Sequence, residues 1–214
     1  MIPRLIALAA FLLASAACPT GQWRSVALAG EFNPQVTVGD AAPAWTDLPG
    51  VDGKHHSMAD LDPEKPAVVV FTCNSCDVAT GYEDRIMAFA EKHQQEAAVV
   101  AINVSLKPDD DLAAMQERAE QKKFPFAYLF DESQEIGAAY GANYTPEFFL
   151  LSPGKPGERR IVYMGALDDS TYADQVRTNY LEPALAAALQ GELPAIKETA
   201  PRGCRIKYPR QKQR

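Results

Sequence analysis

The chain has 214 residues, of which 47% are hydrophobic and 23% charged, and its formal net charge is -7 at pH 7. This length fits one domain with extensions, and such a domain can bury a core that needs no disulfide for stability. The negative charge argues against a nucleic-acid-binding protein, because those proteins present a basic surface.

The N-terminal stretch "MIPRLIALAAFLLASAAC" places one cation, Arg4, before an apolar run that ends in small residues. This layout predicts a secretory signal peptide over residues 1–17, with an apolar run too short to cross a bilayer. Cys18 follows directly, so a second interpretation is a lipoprotein attached to the membrane through acylated Cys18. We therefore expect an exported protein, periplasmic or extracellular, in a compartment where disulfides persist. Residues 18–37 are expected to form a flexible segment.

The pattern of residues 38–190 predicts one α/β domain. Gly50 and Asp52-Gly53 mark the turns of a short hairpin near its start. Alternating segments follow, which predict βαβ units and a mostly parallel sheet, made mixed by a closing hairpin. Strands are expected at 67–71, 97–105, 126–130, 147–152 and 159–167, and helices at 77–93, 109–123, 132–142 and 171–191, the last kinked or broken at Pro183.

The stretch "FTCNSC" places Cys73 and Cys76 where a buried strand passes into a helix. A zinc site would need further ligands, and His55, His56 and His93 do not have the spacing of a second ligand pair. A purely structural disulfide would close a very small loop and stabilise little. The third interpretation is a redox dithiol, which a CxxC in a βαβ setting favours.

In the redox interpretation, the orphan N–H groups of the helix are expected to stabilise the Cys73 thiolate, which is the nucleophile. Cys76, one turn further on, can then attack the Cys73 sulfur and resolve a mixed disulfide. A second feature is Thr145-Pro146, immediately before the strand "EFFLL". A cis bond there would present a backbone edge to a substrate, whereas the alternative is an ordinary trans turn proline.

The last residues, 191–214, form a basic tail with a third cysteine of interest, Cys204. The tail can be solvated, contact an anionic surface or tune a thiol, because nearby cations stabilise a thiolate. Cys204 itself has three interpretations: a packed free residue, a disulfide with Cys18, or a third redox thiol that docks near Cys73. The cations of the tail are Lys197, Arg202, Arg205, Lys207, Arg210, Lys212 and Arg214, with Glu198 as its acid.

The order of elements, with CxxC after the first long strand and Thr-Pro before a later one, resembles the thioredoxin fold. The blocks "VGDAAPAWTDLPGVDGK", "FTCNSCDVATGYEDRI", "YTPEFFLLS", "MGALDD" and "ETAPRGCRIKYP" resemble the thioredoxin-like, peroxiredoxin-like (AhpC/TSA, redoxin) branch of that superfamily. This resemblance spans residues 38–209. It implies a central mixed β-sheet flanked by helices, with an N-terminal β-hairpin extension.

By the same resemblance, Cys73 is the attacking cysteine, Cys76 the resolving one, and Pro146 a cis-proline opposite them. Thr72, Thr145 and Pro146 are the candidate substrate-binding residues. The chain departs from thioredoxins in Thr72, which replaces a tryptophan, in the dipeptide Asn-Ser between the cysteines, and in the missing acid of the preceding strand. The peroxiredoxin signature P-x-x-x-[ST]-x-x-C is also absent.

The expected function is that of an exported thiol–disulfide oxidoreductase acting on protein or small-molecule disulfides. Its partners would be protein thiols or disulfides and a reductant or oxidant protein, with no nucleic acid. A redox-active disulfide would replace any cofactor, and no metal is expected. Two alternatives remain open: a thiol peroxidase, and a non-enzymatic metal-binding or chaperone module.

Overall fold

A computed structural model describes residues 30–209. Its strands are β1 (Leu48–Pro49), β2 (His55–His56), β3 (Ala67–Thr72), β4 (Ala98–Asn103), β5 (Ala127–Phe130), β6 (Tyr144–Thr145), β7 (Glu147–Leu151), β8 (Ile161–Gly165) and β9 (Cys204–Arg205). Its α-helices are α1 (Asp77–His93), α2 (Leu112–Lys122), α3 (Glu135–Tyr140) and α4 (Leu181–Leu189). Short 3-10 helices cover Met58–Asp60, Pro108–Asp110 and Ala173–Gln175.

Five strands form one mixed sheet in the order β5-β4-β3-β7-β8. Strands β3, β4 and β5 run parallel, β7 is antiparallel to β3, and β8 is antiparallel to β7. β1 and β2 pair as the expected N-terminal hairpin, and β6 pairs with β9 near the C-terminus. The predicted α/β, thioredoxin-like architecture is confirmed.

The central strand β3 is covered on both faces, which explains its continuous apolar sequence. Val70 belongs to the core cluster that contains Tyr82 of α1, whereas Phe71 packs against Tyr140 of α3, with ring centroids 5.2 Å apart. Five of the six residues of β3 are fully buried, and Thr72 at its end is half-buried. The strand therefore delivers the residues that follow it to the carboxyl edge of the parallel strands, above a rigid core.

Three predicted helices are shorter than expected, and the one predicted over 132–142 runs only from Glu135 to Tyr140. The segment 171–191 forms a 3-10 turn and a loop before α4 begins at Leu181, so the expected kink is wrong. Pro183 lies in the first turn of α4, where its missing N–H removes no intrahelical hydrogen bond. The segment 109–123 divides at Asp111, whose carboxylate caps α2 by accepting from Ala114 N at 2.8 Å.

Both chain extensions, so far as they are described, pack on the domain. At the N-terminal side, Asn33 is buried and donates from Nδ2 to the Tyr140 carbonyl at 2.8 Å. At the C-terminal side, the backbone of Met164 in β8 bonds to Lys197 and Thr199, each at 3.1 Å. Up to residue 209, much of the basic tail stays exposed, but its backbone pairs with β6 at Cys204 and Arg205, so this part is not a free solvated segment. Within residues 30–209, no helix is long and apolar enough to cross a membrane.

Candidate redox site

The two motif cysteines lie where β3 ends and α1 begins. Cys76 is the N-cap residue of α1, and its Sγ accepts from Ala79 N at 3.4 Å. Cys73 lies three residues earlier, outside the first turn of the helix. The Ala79 N–H of the first turn is thus used by Cys76, and stabilisation of a Cys73 thiolate by helix N–H groups stays a prediction.

Cys73 is a free thiol that is only 7% exposed. Its Sγ lies 3.4 Å from Thr145 Oγ1 and 3.9 Å from Ser75 Oγ. Burial raises the pKa of the Cys73 thiol above its ordinary value, and the charge of Asp110 acts in the same direction. The hydroxyls of Thr145 and Ser75 oppose this rise in pKa. The resting group is therefore a protonated thiol.

Cys76 is bonded to Cys204 in a disulfide that joins residues 128 positions apart, with Cα atoms 5.9 Å apart. This pairing contradicts two of the three interpretations of Cys204, the packed free residue and the disulfide with Cys18. The third, a redox thiol that docks near Cys73, stays a prediction, and the bond is made to Cys76. Cys18 itself lies outside the described residues. The sequence could not select Cys76 as the partner, because nothing local to Cys204 indicates which strand its segment joins.

The Thr145–Pro146 peptide bond is cis, as expected, and it lies beside both motif cysteines. Thr145 O is 3.2 Å from Cys76 Sγ, and the Thr145 hydroxyl contacts Cys73. In the β6–β9 pair, Thr145 lies directly opposite Cys204. A side chain at Gly203 would collide with the Thr145 carbonyl, so the tail can approach this closely only with glycine there.

An aspartate that sequence reasoning did not single out lies beneath the dipeptide between the cysteines. Asp110 is fully buried, and its Oδ1 accepts from Asn74 N at 2.6 Å and from Ser75 N at 3.0 Å. Its Oδ2 accepts from the Ser75 hydroxyl. Thiol, hydroxyl and carboxylate thus lie in series from Cys73 through Ser75 to Asp110. This arrangement can take a proton from the thiol as the sulfur attacks.

The only signal for Asp110 in the sequence is the run "DDD" at 109–111, which opens the predicted helix 109–123 and is typical of a helix N-terminus. One of the three, Asp111, has that role. Asp110 instead lies in the segment after β4 and places an acid close to the cysteine motif. The strand before the motif contains no acid. The sequence alone does not show which of these three aspartates caps the helix and which one contacts the cysteine motif.

A cavity of about 400 Å³ opens beside the cysteines. Three cations, Lys107, Arg205 and Lys207, line it together with apolar and neutral polar groups, and no acid does. Thr72 is not among its lining residues, because it faces a small space with Glu83 and Tyr128 on the other side of Cys73. The cavity is lined by Cys73, Ser75, Cys76, Val104, Ser105, Leu106, Lys107, Gln134, Thr145, Cys204, Arg205, Ile206 and Lys207.

A second buried acid lies just behind the cis-proline. The Glu147 carboxylate accepts from Asn143 N at 2.7 Å and from Tyr144 N at 3.0 Å. Burial raises its pKa to about 7, although these hydrogen bonds oppose the shift. Glu147, the first residue of β7, thereby holds Asn143 and the first residue of β6 in place.

The histidines weighed as metal ligands lie apart from the cysteines. His56 contacts Asp52 at 3.0 Å, and His93 lies between Glu96 and Glu182. Among residues 30–209, no group of three or more histidine, cysteine or acidic side chains has the geometry to hold a metal ion.

Comparisons with known proteins agree with this architecture. An uncharacterized conserved protein from Geobacillus kaustophilus is 30% identical, with a TM-score of 0.73 over 82% of this chain and 94% of that one. A hypothetical protein from Sinorhizobium meliloti 1021 is 28% identical, with a TM-score of 0.74 over 83% and 98% of the two chains. The peroxidoxin BcpB from Mycobacterium tuberculosis shares the fold, at 18% identity and a TM-score of 0.55 over 73% and 97%.

A search of curated proteins finds no match. The sequence model of the AhpC/TSA family matches residues 38–160, which is more than half of the chain and includes β3, both motif cysteines and Thr145-Pro146. The protein therefore belongs to the AhpC/TSA family, a thioredoxin-fold family of redox proteins.

Proposed function

We propose that the protein is a thiol–disulfide oxidoreductase in which Cys73 attacks a disulfide and Cys76 resolves the product. The observation that carries the proposal is that one residue, Thr145, contacts both the free thiol of Cys73 and the disulfide sulfur of Cys76. Thr145 contacts Cys73 Sγ through its hydroxyl and lies 3.2 Å from Cys76 Sγ through its carbonyl. Sulfur atoms kept this close to a common anchor can exchange a disulfide bond with little movement.

The proposed reaction consists of two thiol–disulfide exchanges, in which only sulfur–sulfur bonds form and break. The Cys73 thiolate attacks R–S–S–R′, forming Cys73–S–S–R and releasing R′–S⁻. The Cys76 thiolate then attacks Cys73 Sγ, forming the Cys73–Cys76 disulfide and releasing R–S⁻. The substrate gains two electrons and the protein loses two, so no further cofactor is needed. Protein disulfides, small-molecule disulfides and a redox partner protein are the proposed reactants.

The test is trapping. Cys76→Ser should leave Cys73 in a stable mixed disulfide with its partners, because the resolving thiol is absent. Cys73→Ser is the matched control: it keeps the Cys76–Cys204 pair and should trap nothing. The adducts are counted on non-reducing gels and identified by mass spectrometry. Equal trapping by both variants, or full disulfide-reductase activity in the double variant, would show that the assignment is wrong.

A thiol peroxidase is the second candidate, favoured by the AhpC/TSA family match and by the burial of Cys73. A small hydroperoxide reaches a thiol of 7% exposure more easily than a protein disulfide does. Attack on ROOH would give Cys73–SOH and ROH, with one proton delivered to the leaving alkoxide. Peroxide consumption by the reduced protein, compared with its rate on oxidised glutathione, decides between the two activities.

The proposal includes export. Support comes from Arg4, the apolar run after it and the small residues before Cys18, which together have the layout of a signal peptide. N-terminal sequencing of the protein from its native host tests this. A mature chain beginning at or near Cys18 supports export, and acylation of that residue would identify a lipoprotein. An intact Met1 on cytosolic protein would contradict it.

A further inference from the structure

The disulfide of this structure is not the one that the proposed reaction forms. That reaction ends with a bond between Cys73 and Cys76, yet Cys76 is bonded to Cys204 and Cys73 is free. The bond thus joins the second and third of three cysteines at the site, rather than the first and second. A state of this kind arises if a further thiol attacks Cys76 after substrate has left.

Cys204 is held in place for such an attack by its own backbone. It lies opposite Thr145 in the antiparallel pair β6–β9, and Ile206 N donates to the Asn143 carbonyl at 2.8 Å. Gly203 permits the close approach to Thr145. Further along, the Tyr208 hydroxyl donates to the Ala142 carbonyl at 2.8 Å. The tail is thus a paired strand that positions the Cys204 sulfur at the site.

The three sulfurs differ sharply in access. Cys76 is 1% exposed and Cys73 7%, whereas Cys204 lies on an exposed strand. An external thiolate can reach the Cys204 sulfur far more easily than the Cys76 sulfur. Arg205 beside it is also exposed, which favours the approach of an anionic thiolate.

We propose that Cys204 is a second resolving cysteine, which takes over the disulfide from the CxxC pair and presents it to a reductant. The inference rests on the proposed function, which supplies the Cys73–Cys76 disulfide. The Cys204 thiolate attacks Cys76 Sγ; the bond between Cys76 and Cys204 forms, and the bond to Cys73 breaks. Cys73 leaves as the thiolate and takes up a proton. No electrons enter or leave in this step.

Electrons return through the tail. One thiolate of an external dithiol attacks Cys204 Sγ, forming a mixed disulfide there and releasing the Cys76 thiolate. The second thiol of the dithiol then displaces Cys204, so the reductant leaves as a disulfide and the protein regains three thiols. Substrate would thus react at the buried end of the series, and reductant at its exposed end.

The test follows the disulfide in time. Full-length protein with Cys18→Ser is reduced, freed of reductant and mixed with one equivalent of oxidised glutathione, then quenched with acid and alkylated. Cys73 and Cys76 lie in one tryptic peptide, so fragmentation between them locates the bond. We expect Cys73–Cys76 first and Cys76–Cys204 as the end product, with Cys73 alkylated. An end product of Cys73–Cys76 with alkylated Cys204 would overturn the inference.

Two variants distinguish transfer of the disulfide from Cys73–Cys76 to Cys76–Cys204 from direct oxidation of Cys204 by glutathione. Cys204→Ser should form Cys73–Cys76 and stop there. Cys73→Ser should form Cys76–Cys204 only through a Cys204–glutathione mixed disulfide, which the acid quench captures. The same mixed disulfide as the first product of the parent chain would overturn the inference. If neither the parent chain nor Cys204→Ser oxidises Cys73 at all, the proposed function itself fails, and the two failures are thereby distinguished.

A glycine pair provides the control for docking. Gly203→Ala should slow the conversion of Cys73–Cys76 to Cys76–Cys204 at least about tenfold, because its Cβ would push the tail away from Thr145. Formation of the Cys73–Cys76 disulfide should be unchanged. Gly81→Ala is the matched substitution, since a Cβ at this α1 position meets no atom within 4 Å. Both variants handing over at the wild-type rate would contradict the role of the docked strand.

Discussion

The reactivity of Cys73 depends on the side chains that approach its sulfur. Thr145 and Ser75 offer hydroxyls, which stabilise a thiolate, whereas Asp110 adds a negative charge that opposes it. Burial is the largest influence and favours the neutral thiol. A nucleophile of this kind needs a proton acceptor at the moment of attack, and the series through Ser75 to Asp110 supplies one.

Two substitutions at this series should shift the pKa of Cys73 in opposite directions. Asp110→Asn keeps an oxygen for the Asn74 and Ser75 amides but removes the charge, so the pKa should fall and alkylation of Cys73 at pH 7 should accelerate roughly threefold. Ser75→Ala removes the hydroxyl that lies between the Cys73 sulfur and Asp110 and should slow alkylation. The measurement is the alkylation rate of Cys73 against pH, with Cys18→Ser and the disulfide intact.

Asp109→Asn is the control, because Asp109 is exposed and its contact with the motif is through the backbone carbonyl. If all three variants keep the parent pH profile, Asp110 does not act on Cys73. If Asp110→Asn lowers disulfide-exchange activity while raising alkylation, the carboxylate serves as the proton acceptor.

The sequence predicted some of these residues and missed others for a physical reason. Cys73 and Cys76 stand out because two cysteines with two residues between them have few other uses, and Thr145-Pro146 because proline is unusual just before a buried strand. Asp110 and Cys204 act through contacts to residues 35 and 128 positions away. Contacts at that separation leave no local pattern.

The loop 143–145 is the element that brings the tail to the site, and Glu147 holds it. Two backbone N–H groups of the loop, at Asn143 and Tyr144, bond to one carboxylate oxygen of Glu147. A carboxylate is a strong acceptor, but its burial is costly while it is charged. The loop is therefore sensitive to the protonation of one side chain.

Glu147 should make stability depend on pH near neutrality. Its pKa is about 7 in the folded chain, against an ordinary value of 4.5. The raised pKa contributes stability that is fully present below pH 4.5 and lost as pH rises through 7. Relative to Glu147→Gln, the wild type should lose up to about 3 kcal/mol of unfolding free energy over this range. Urea titrations of both proteins at pH 5 and pH 8 measure it; a constant difference would contradict the shift.

Elements differed in how well they could be anticipated. The strands of the sheet were expected because short apolar runs bounded by turns have few alternatives. The region before α4 was misjudged because Tyr172, Val176 and Tyr180 fall at helical spacing although they lie in a loop. There Arg85 NH1 donates to the Ser170 carbonyl and to Asp168, which fixes a non-helical path.

For the whole molecule, the Cys76–Cys204 bond is a long-range tie between the first helix and the last strand. It restricts the unfolded chain over 128 residues, for which chain entropy gives about 4–5 kcal/mol. Cys204→Ser should lower the unfolding free energy of the oxidised protein by up to that amount, measured in urea without reductant. The reduced wild type should match the reduced variant, and a difference that persists after reduction would assign the effect to the side chain rather than to the bond.

The bond also makes the oxidised chain between residues 76 and 204 a closed ring. A single proteolytic cut within it, for instance in the turn near Gly154 and Gly157, leaves one covalent molecule of unchanged mass apart from the added water. The same cut in the reduced protein yields two fragments on a denaturing gel. Nicked protein would thus report the oxidation state of the tail cysteine as a difference in apparent size, without any label on the sulfur atoms.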